Sequence, residues 1–124
     1  MSTAVMLEMQ TDEARVVQKA VLGASEELQF SKSFLGQILG LSPATVTRMF
    51  QGSFELNERS KEYESAVLVL RLYAGLADLL GSKENIQLWL NGENSELSAK
   101  PVDMLVSTEG LLTVVGYLES IIDR

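Results

Sequence analysis

The sequence predicts an all-α fold, and three observations carry that expectation. Apolar residues recur at spacings of three and four along most of the chain. Ser, Thr and Pro stand at helix-opening positions, and Gly closes the segments they open. No segment sustains an alternation of period two, as half-buried strands would require. With 46% apolar residues in 124, the chain can bury a continuous core, as one domain or as two small helical units sharing it.

Thr11 is expected to cap the first helix, with Asp12 and Glu13 suiting the positive end of its dipole. Val16, Val17, Ala20, Val21 and Leu28 supply its apolar stripe. Ser31 or Ser33 opens a second, shorter helix holding Phe34, Leu35, Ile38 and Leu39, and Gly40 stops it. Ser42 caps a third helix that has Pro43 at its first position and ends near Gln51, before Gly52. A polar connector, 53–60, leads to a long helix from about Arg59 to Leu80. Its second half is apolar on nearly every face, so it should be sandwiched or held in a dimer. Beyond Gly81 come a helix over 83–90, a turn at Asn91-Gly92 and a polar loop over 93–100. A short helix over 102–106 follows Pro101, and Thr108 is expected to cap the last helix. In that helix Leu111, Val114, Val115, Leu118, Ile121 and Ile122 share a face. The expected organisation is 1–57 with a helix-turn-helix at about 31–52, a connecting helix over 58–81, and a second unit over 82–124.

Composition narrows function by chemistry. Without cysteine or histidine there is no disulfide, no thiolate or imidazole metal site, and no histidine base. The carboxylate pairs Glu26-Glu27 and Glu62 with Glu64 read as solvated faces, since nothing basic or Gly-rich gathers near them. No catalytic residue, cofactor or metal is expected, and the chain reads as a binding protein rather than an enzyme. The start of the chain carries Glu8 and lacks the basic-then-apolar order of a signal peptide. Arg71 and Asp78 interrupt the longest apolar stretch, which is also too short for a bilayer. A cytoplasmic protein without a membrane partner is expected.

The net charge of −7 argues against generic polyanion binding. It is unevenly spread: residues 1–57 carry four basic and six acidic side chains, and residues 82–124 carry three and seven. The acidic last third suits a protein partner or plain solubility better than nucleic acid.

Residues 35–52, LGQILGLSPATVTRMFQG, satisfy the demands of a helix-turn-helix. Leu35, Ile38 and Leu39 pack inward, and Gly36 lets the next helix come close. Gly40 turns, Leu41 plugs the corner and Ser42 caps. Val46, Met49 and Phe50 then bury one side of the second helix. Its other side leaves Ala44, Thr45, Thr47, Arg48 and Gln51 for a major groove, with Lys32 and Gln37 on the preceding helix and Ser42 placed for a phosphate. The segment resembles the Xre/Cro-like helix-turn-helix family, departing at Met49, where that family often has an aromatic. Only Lys32 and Arg48 are basic within 30–57, so a dimer or larger assembly is expected if DNA is bound.

The last third runs Trp89-Leu90, Asn94, Leu97, Lys100-Pro101, Met104-Leu105, Ser107-Thr108-Glu109-Gly110, Val114-Val115, Tyr117-Leu118 and Ile121-Ile122. This ordered set resembles the toxin-binding domain of the Xre/MbcA/ParS antitoxin family, whose members carry an Xre-like region before it, as here. The resemblance covers about 30–124. It departs in the loop Ser95-Glu96-Leu97-Ser98-Ala99, which in the family is often glycine-rich. It implies an antitoxin of a type II toxin–antitoxin pair that binds a RES-domain toxin, which attacks NAD or transfers ADP-ribose. It further implies that the antitoxin occludes the toxin's active site and represses the shared operon, working as a homodimer or a hetero-oligomer with the toxin. The expected toxin contacts are Asn94, Lys100, Tyr117, Leu118, Ile121, Ile122, Asp123 and Arg124. Packing the last helix on a partner would thrust Asp123 and Arg124 into what lies beyond, where a cation competes with substrate groups; alternatively Arg124 serves its own helix dipole. Trp89 reads as core rather than anchor, and Tyr117 as interface if it lies off the apolar stripe. Two rivals stand beside this reading: a neutraliser that has lost DNA binding, and an Xre-type regulator with no toxin.

Overall fold

The computed structural model describes the backbone of residues 3–123 and the side chains of residues 12–123. It holds seven helices among the described residues: α1 (Thr3–Glu27), α2 (Lys32–Leu39), α3 (Pro43–Gln51), α4 (Lys61–Leu80), α5 (Lys83–Asn91), α6 (Pro101–Met104) and α7 (Thr108–Ile122). No strand occurs among them; one pair of backbone hydrogen bonds between Asn94 and Ala99 is the sole β-type pairing. The all-α expectation holds.

Helix α4 is the axis of the molecule. It packs α1 and α2 on one side and α7 on another, which explains why its apolar residues are not confined to one stripe. Ala66, Val69, Leu72 and Leu76 are wholly buried there. At Gly81-Ser82 the chain bends by 111° into α5. No single helix among the described residues is long and apolar enough to cross a membrane.

Caps set most of the boundaries. Ser31, Ser42, Ser60 and Ser82 each accept a hydrogen bond from the backbone N–H three residues on. The choice between Ser31 and Ser33 thus falls on Ser31, and the long helix opens at Lys61 rather than Arg59. Two expected caps are corrected. Helix α1 begins at Thr3, so Thr11 lies inside it. Helix α7 is capped by Ser107, whose Oγ accepts from Gly110 N at 3.0 Å, and Thr108 is its first residue.

The first helix also divides its apolar residues differently from the single stripe expected. Ala14, Gln18, Val21, Ala24, Ser25 and Leu28 are buried, whereas Val16 and Ala20 face outward. Gln18 is a buried polar residue with both ends satisfied: it donates to Phe54 O at 2.7 Å and accepts from Leu56 N at 2.8 Å. One side chain therefore ties α1 to the connector between α3 and α4.

Candidate functional site

The joint between α2 and α3 is built as the residue pattern requires. Gly40 takes φ 77° and ψ 32°, the left-handed conformation that turns the chain, and its N–H bonds Gly36 O. Gly36 is the close-approach point, since a Cβ there would stand 2.5 Å from Leu41 O and 3.4 Å from Val46 Cγ2. Val46 and Met49 are buried, and Phe50 is half-buried with the Lys32 ammonium 5.3 Å from its ring centroid.

That inward packing leaves the opposite side of α3 in solvent. Ala44, Arg48 and Gln51 are exposed along one line, with Thr45 and Thr47 half-buried beside them; Lys32, Gln37 and Ser42 are exposed nearby in sequence. Three of these side chains form a relay along the helix. Ser42 Oγ accepts from Thr45 N at 3.2 Å and lies 2.9 Å from Thr45 Oγ1, and Arg48 Nη2 donates to that Oγ1 at 3.0 Å. The guanidinium is thereby held along α3 with its remaining donors free in number for an incoming acceptor. None of the eight residues named for DNA is buried.

The second unit corrects one expectation and separates others. The stripe Leu111, Val114, Val115 and Leu118 does not wait for another polypeptide: it is buried within the chain, largely against α4. Leu118, named as a toxin contact, is 1% exposed and lies where a Cβ on Gly75 would come within 3.4 Å of it. It is a core residue, because Gly75 lets α4 and α7 approach closely. Tyr117 and Ile121 are half-buried, and Lys100, Ile122 and Asp123 are exposed. Asn94 is half-buried, and its side-chain oxygen accepts from Leu97 N at 3.0 Å, which turns the polar loop back on itself. Arg124 lies outside the described residues.

Trp89 and Tyr117 stack on each other with centroids 6.4 Å apart and planes 16° from parallel, both half-buried. Sequence treated them separately; the fold brings these residues of α5 and α7 together as one partly exposed aromatic pair. Leu88, next in the chain, is 73% exposed. Beside α4, Arg71 forms a two-pronged ion pair with Glu119, Nε to Oε2 at 3.0 Å and Nη2 to Oε1. Hydrogen bonding from Arg71 holds the Glu119 carboxyl below the usual glutamate range, and Glu119 raises Arg71 in return.

Sequence reasoning missed two residues that join the two units, Gln87 and Lys83, and one, Gln18, that ties α1 to the connector within the first. Gln87 Nε2 donates to Leu28 O at 2.7 Å, and Lys83 Nζ lies 3.2 Å from Glu27, so α5 is fastened to the end of α1. Gln18 could have been found, since it is the one polar residue between Ala14 and Val21 on the buried face. Gln87 and Lys83 carried no such signal.

Two family models match the chain. The antitoxin Xre-like helix-turn-helix domain matches residues 8–71, just over half of it. The antitoxin Xre/MbcA/ParS C-terminal toxin-binding domain matches residues 75–122. The chain belongs to the Xre/MbcA/ParS antitoxin family. No curated protein matches it significantly. The two matches meet inside α4, between 71 and 75, so this antitoxin's DNA-binding and toxin-binding units share one helix and the core around it. Its family describes a binding regulator, an antitoxin with a helix-turn-helix, in agreement with the expected toxin–antitoxin role.

Proposed function

We propose that this antitoxin neutralises a RES-type toxin, one that degrades NAD or transfers ADP-ribose, by direct binding that occludes its active site. It also represses its own operon as a homodimer, alone or with the toxin, in the cytoplasm. The observation that carries this reading is the pairing of two outward surfaces on one core. One is the hydrogen-bonding side of α3; the other belongs to the second unit, where the Trp89–Tyr117 stack is half-buried and Lys100, Ile122 and Asp123 are exposed. The RES class is supported by the ordered motif of the last third. Toxin contacts are assigned to Tyr117, Ile121, Ile122, Asp123, Lys100, Asn94 and, outside the described residues, Arg124. DNA contacts are assigned to Ser42, Ala44, Thr45, Thr47, Arg48 and Gln51, with Lys32 and Gln37 on α2.

The test is expression of the neighbouring open reading frame with and without this protein. Lethality alone, rescue on coexpression, and co-purification as one complex are the expected outcomes; absence of a co-purifying toxin would sink the reading. A gel shift on the gene's own promoter tests the repressor half, with Arg48→Ala expected to lower affinity. A second reading, a neutraliser without DNA binding, is favoured by one observation. The two cations of 30–57 both have intramolecular engagements, Arg48 with Thr45 and Lys32 with Phe50. No shift with or without toxin decides for it.

A further inference from the structure

Within this acidic chain the helix-turn-helix stands apart. The sequence holds 17 carboxylates, yet none falls between Glu27 and Glu55. No acidic side chain of that stretch can neutralise Arg48, and it joins none of the ion pairs among the described residues. Its fixed neighbour is a hydroxyl. Arg48 Nη2 donates to Thr45 Oγ1 at 3.0 Å, and Ser42 Oγ stands 2.9 Å from that same oxygen. Thr45 is half-buried, whereas Arg48 is exposed.

A guanidinium carries only donors, so the direction of its bond to Thr45 is set. Two of its edges each offer a pair of N–H groups, one through Nη1 and Nη2, the other through Nε and Nη2. Thr45 takes a single Nη2 hydrogen, which belongs to one edge, and the other edge stays whole. The bond thus occupies one donor and holds a two-pronged fork in place. Held on the exposed line of Ala44, Arg48 and Gln51, that fork suits two acceptors at a fixed separation. In a major groove guanine O6 and N7 are such a pair, whereas adenine sets an amino donor beside its N7. Phosphate oxygens accept equally well, but a mobile point charge serves them, so aiming the fork gains little there.

We propose that Arg48 reads a guanine through O6 and N7 in each operator half-site, and that Thr45 is the positioning residue that aims it. The inference rests on the repressor half of the reading above and names the base that the recognition helix selects. The engagement of Arg48 with Thr45 then prepares the side chain for DNA instead of withdrawing it.

Gel shifts on the gene's own promoter test it, with one probe of natural DNA and one in which 7-deazaguanine replaces guanine. The replacement removes N7 and leaves base pairing and phosphates intact. The native protein is expected to bind the second probe roughly ten-fold more weakly. Arg48→Ala should bind both probes weakly and equally. Thr45→Val, which keeps the shape and removes the acceptor, should lose affinity for natural DNA roughly several-fold, together with most of the difference between probes. Thr45→Ser should recover both, with native helical content by circular dichroism in every variant. Equal binding of the two probes by the native protein puts Arg48 on phosphate and overturns the assignment, as does a probe difference that persists in Arg48→Ala. A Thr45→Val protein that discriminates as the native one does overturns the aiming role. In each of these cases the repressor reading stands. A native protein that shifts no promoter DNA, alone or with toxin, overturns both.

Discussion

The α2–α3 corner and the α6–α7 corner use the same residue types in different places. Each pairs a proline-started helix with a serine cap and a glycine that admits a neighbouring backbone: Pro43, Ser42 and Gly36 in the first, Pro101, Ser107 and Gly110 in the second. In the first corner the glycine precedes the turn and a second glycine, Gly40, makes the turn itself. In the second corner Leu105 leaves α6 in a right-handed helical conformation, and Gly110, already inside α7, accommodates the Met104 carbonyl. Where a glycine makes the turn, the corner is visible in sequence. Where the turn uses ordinary backbone and the glycine only makes room, the corner is still visible but its helix end and cap are read a residue or two late.

The largest expected effect separates these two roles. Gly110→Ala would drive a methyl into the Met104 carbonyl oxygen, and Gly36→Ala would set one 2.5 Å from Leu41 O. Both obstacles are backbone and cannot swing away. Each substitution should cost about 3 kcal/mol of unfolding free energy, Gly110→Ala the more, as overpacked sites do. Urea denaturation of both variants checks this, and a cost near zero at Gly110 would mean that the second corner relaxes where the first cannot.

The next comparison sets two glutamines side by side. Gln18 lies buried and satisfies two backbone groups; Gln87, half-buried, satisfies one. Gln18→Ala leaves Phe54 O and Leu56 N without partners and should destabilise by about 2 kcal/mol; Gln87→Ala should destabilise by about 1 kcal/mol. Hydrogen exchange sharpens the difference. Gln18→Ala should expose the connector amides around Leu56, whereas Gln87→Ala should loosen only the contact between α5 and the end of α1.

Both variants probe what was hidden in the sequence. The helix-turn-helix was legible almost to the residue, because its caps, its turning glycine and its apolar spacing are local signals. The fate of the last helix was not. The periodicity of Leu111, Val114, Val115 and Leu118 says that they share a face, and says nothing of which surface covers it. That surface is α4, and so Leu118 moved from the toxin contacts to the core. The first helix shows the same limit in reverse. Val16 and Val17, or Ala20 and Val21, are neighbours in a sequence stripe, yet one of each pair is outside. The aromatic pair of Trp89 and Tyr117 needed the packing of α5 and α7 around α4 and α6, which no local spacing encodes.

Strained residues offer a smaller effect with the opposite sign. Gln29 closes α1 at φ 60°, with Phe30 N bonding back to Ser25 O, and Ser98 stands at φ 58° in the polar loop. Gln29→Gly and Ser98→Gly should each stabilise by about 1 kcal/mol, since glycine adopts this conformation without a Cβ penalty. Thermal melts check both, and a loss at Ser98 would show that its side chain has a part that the fold alone does not give it.

The smallest effect concerns the Arg71–Glu119 pair that spans α4 and α7. Glu119 titrates below the usual glutamate range because Arg71 donates to its ionised form. A carboxyl depressed in the folded state contributes stability that is present above its unfolded value and is lost as pH falls through the folded one. Stability should therefore decline on acidification below the ordinary glutamate range, and Glu119→Gln should flatten part of that acid limb by lowering stability slightly at neutral pH and hardly at all in acid. Both side chains are more than a third exposed, so solvent and salt screen the pair and the difference should shrink at high ionic strength. Urea midpoints measured across acid pH, in low and high salt, for the native protein and Glu119→Gln decide it. Parallel curves would mean that α4 and α7 are held by Gly75 and Leu118 alone, with the ion pair a bystander on their rim.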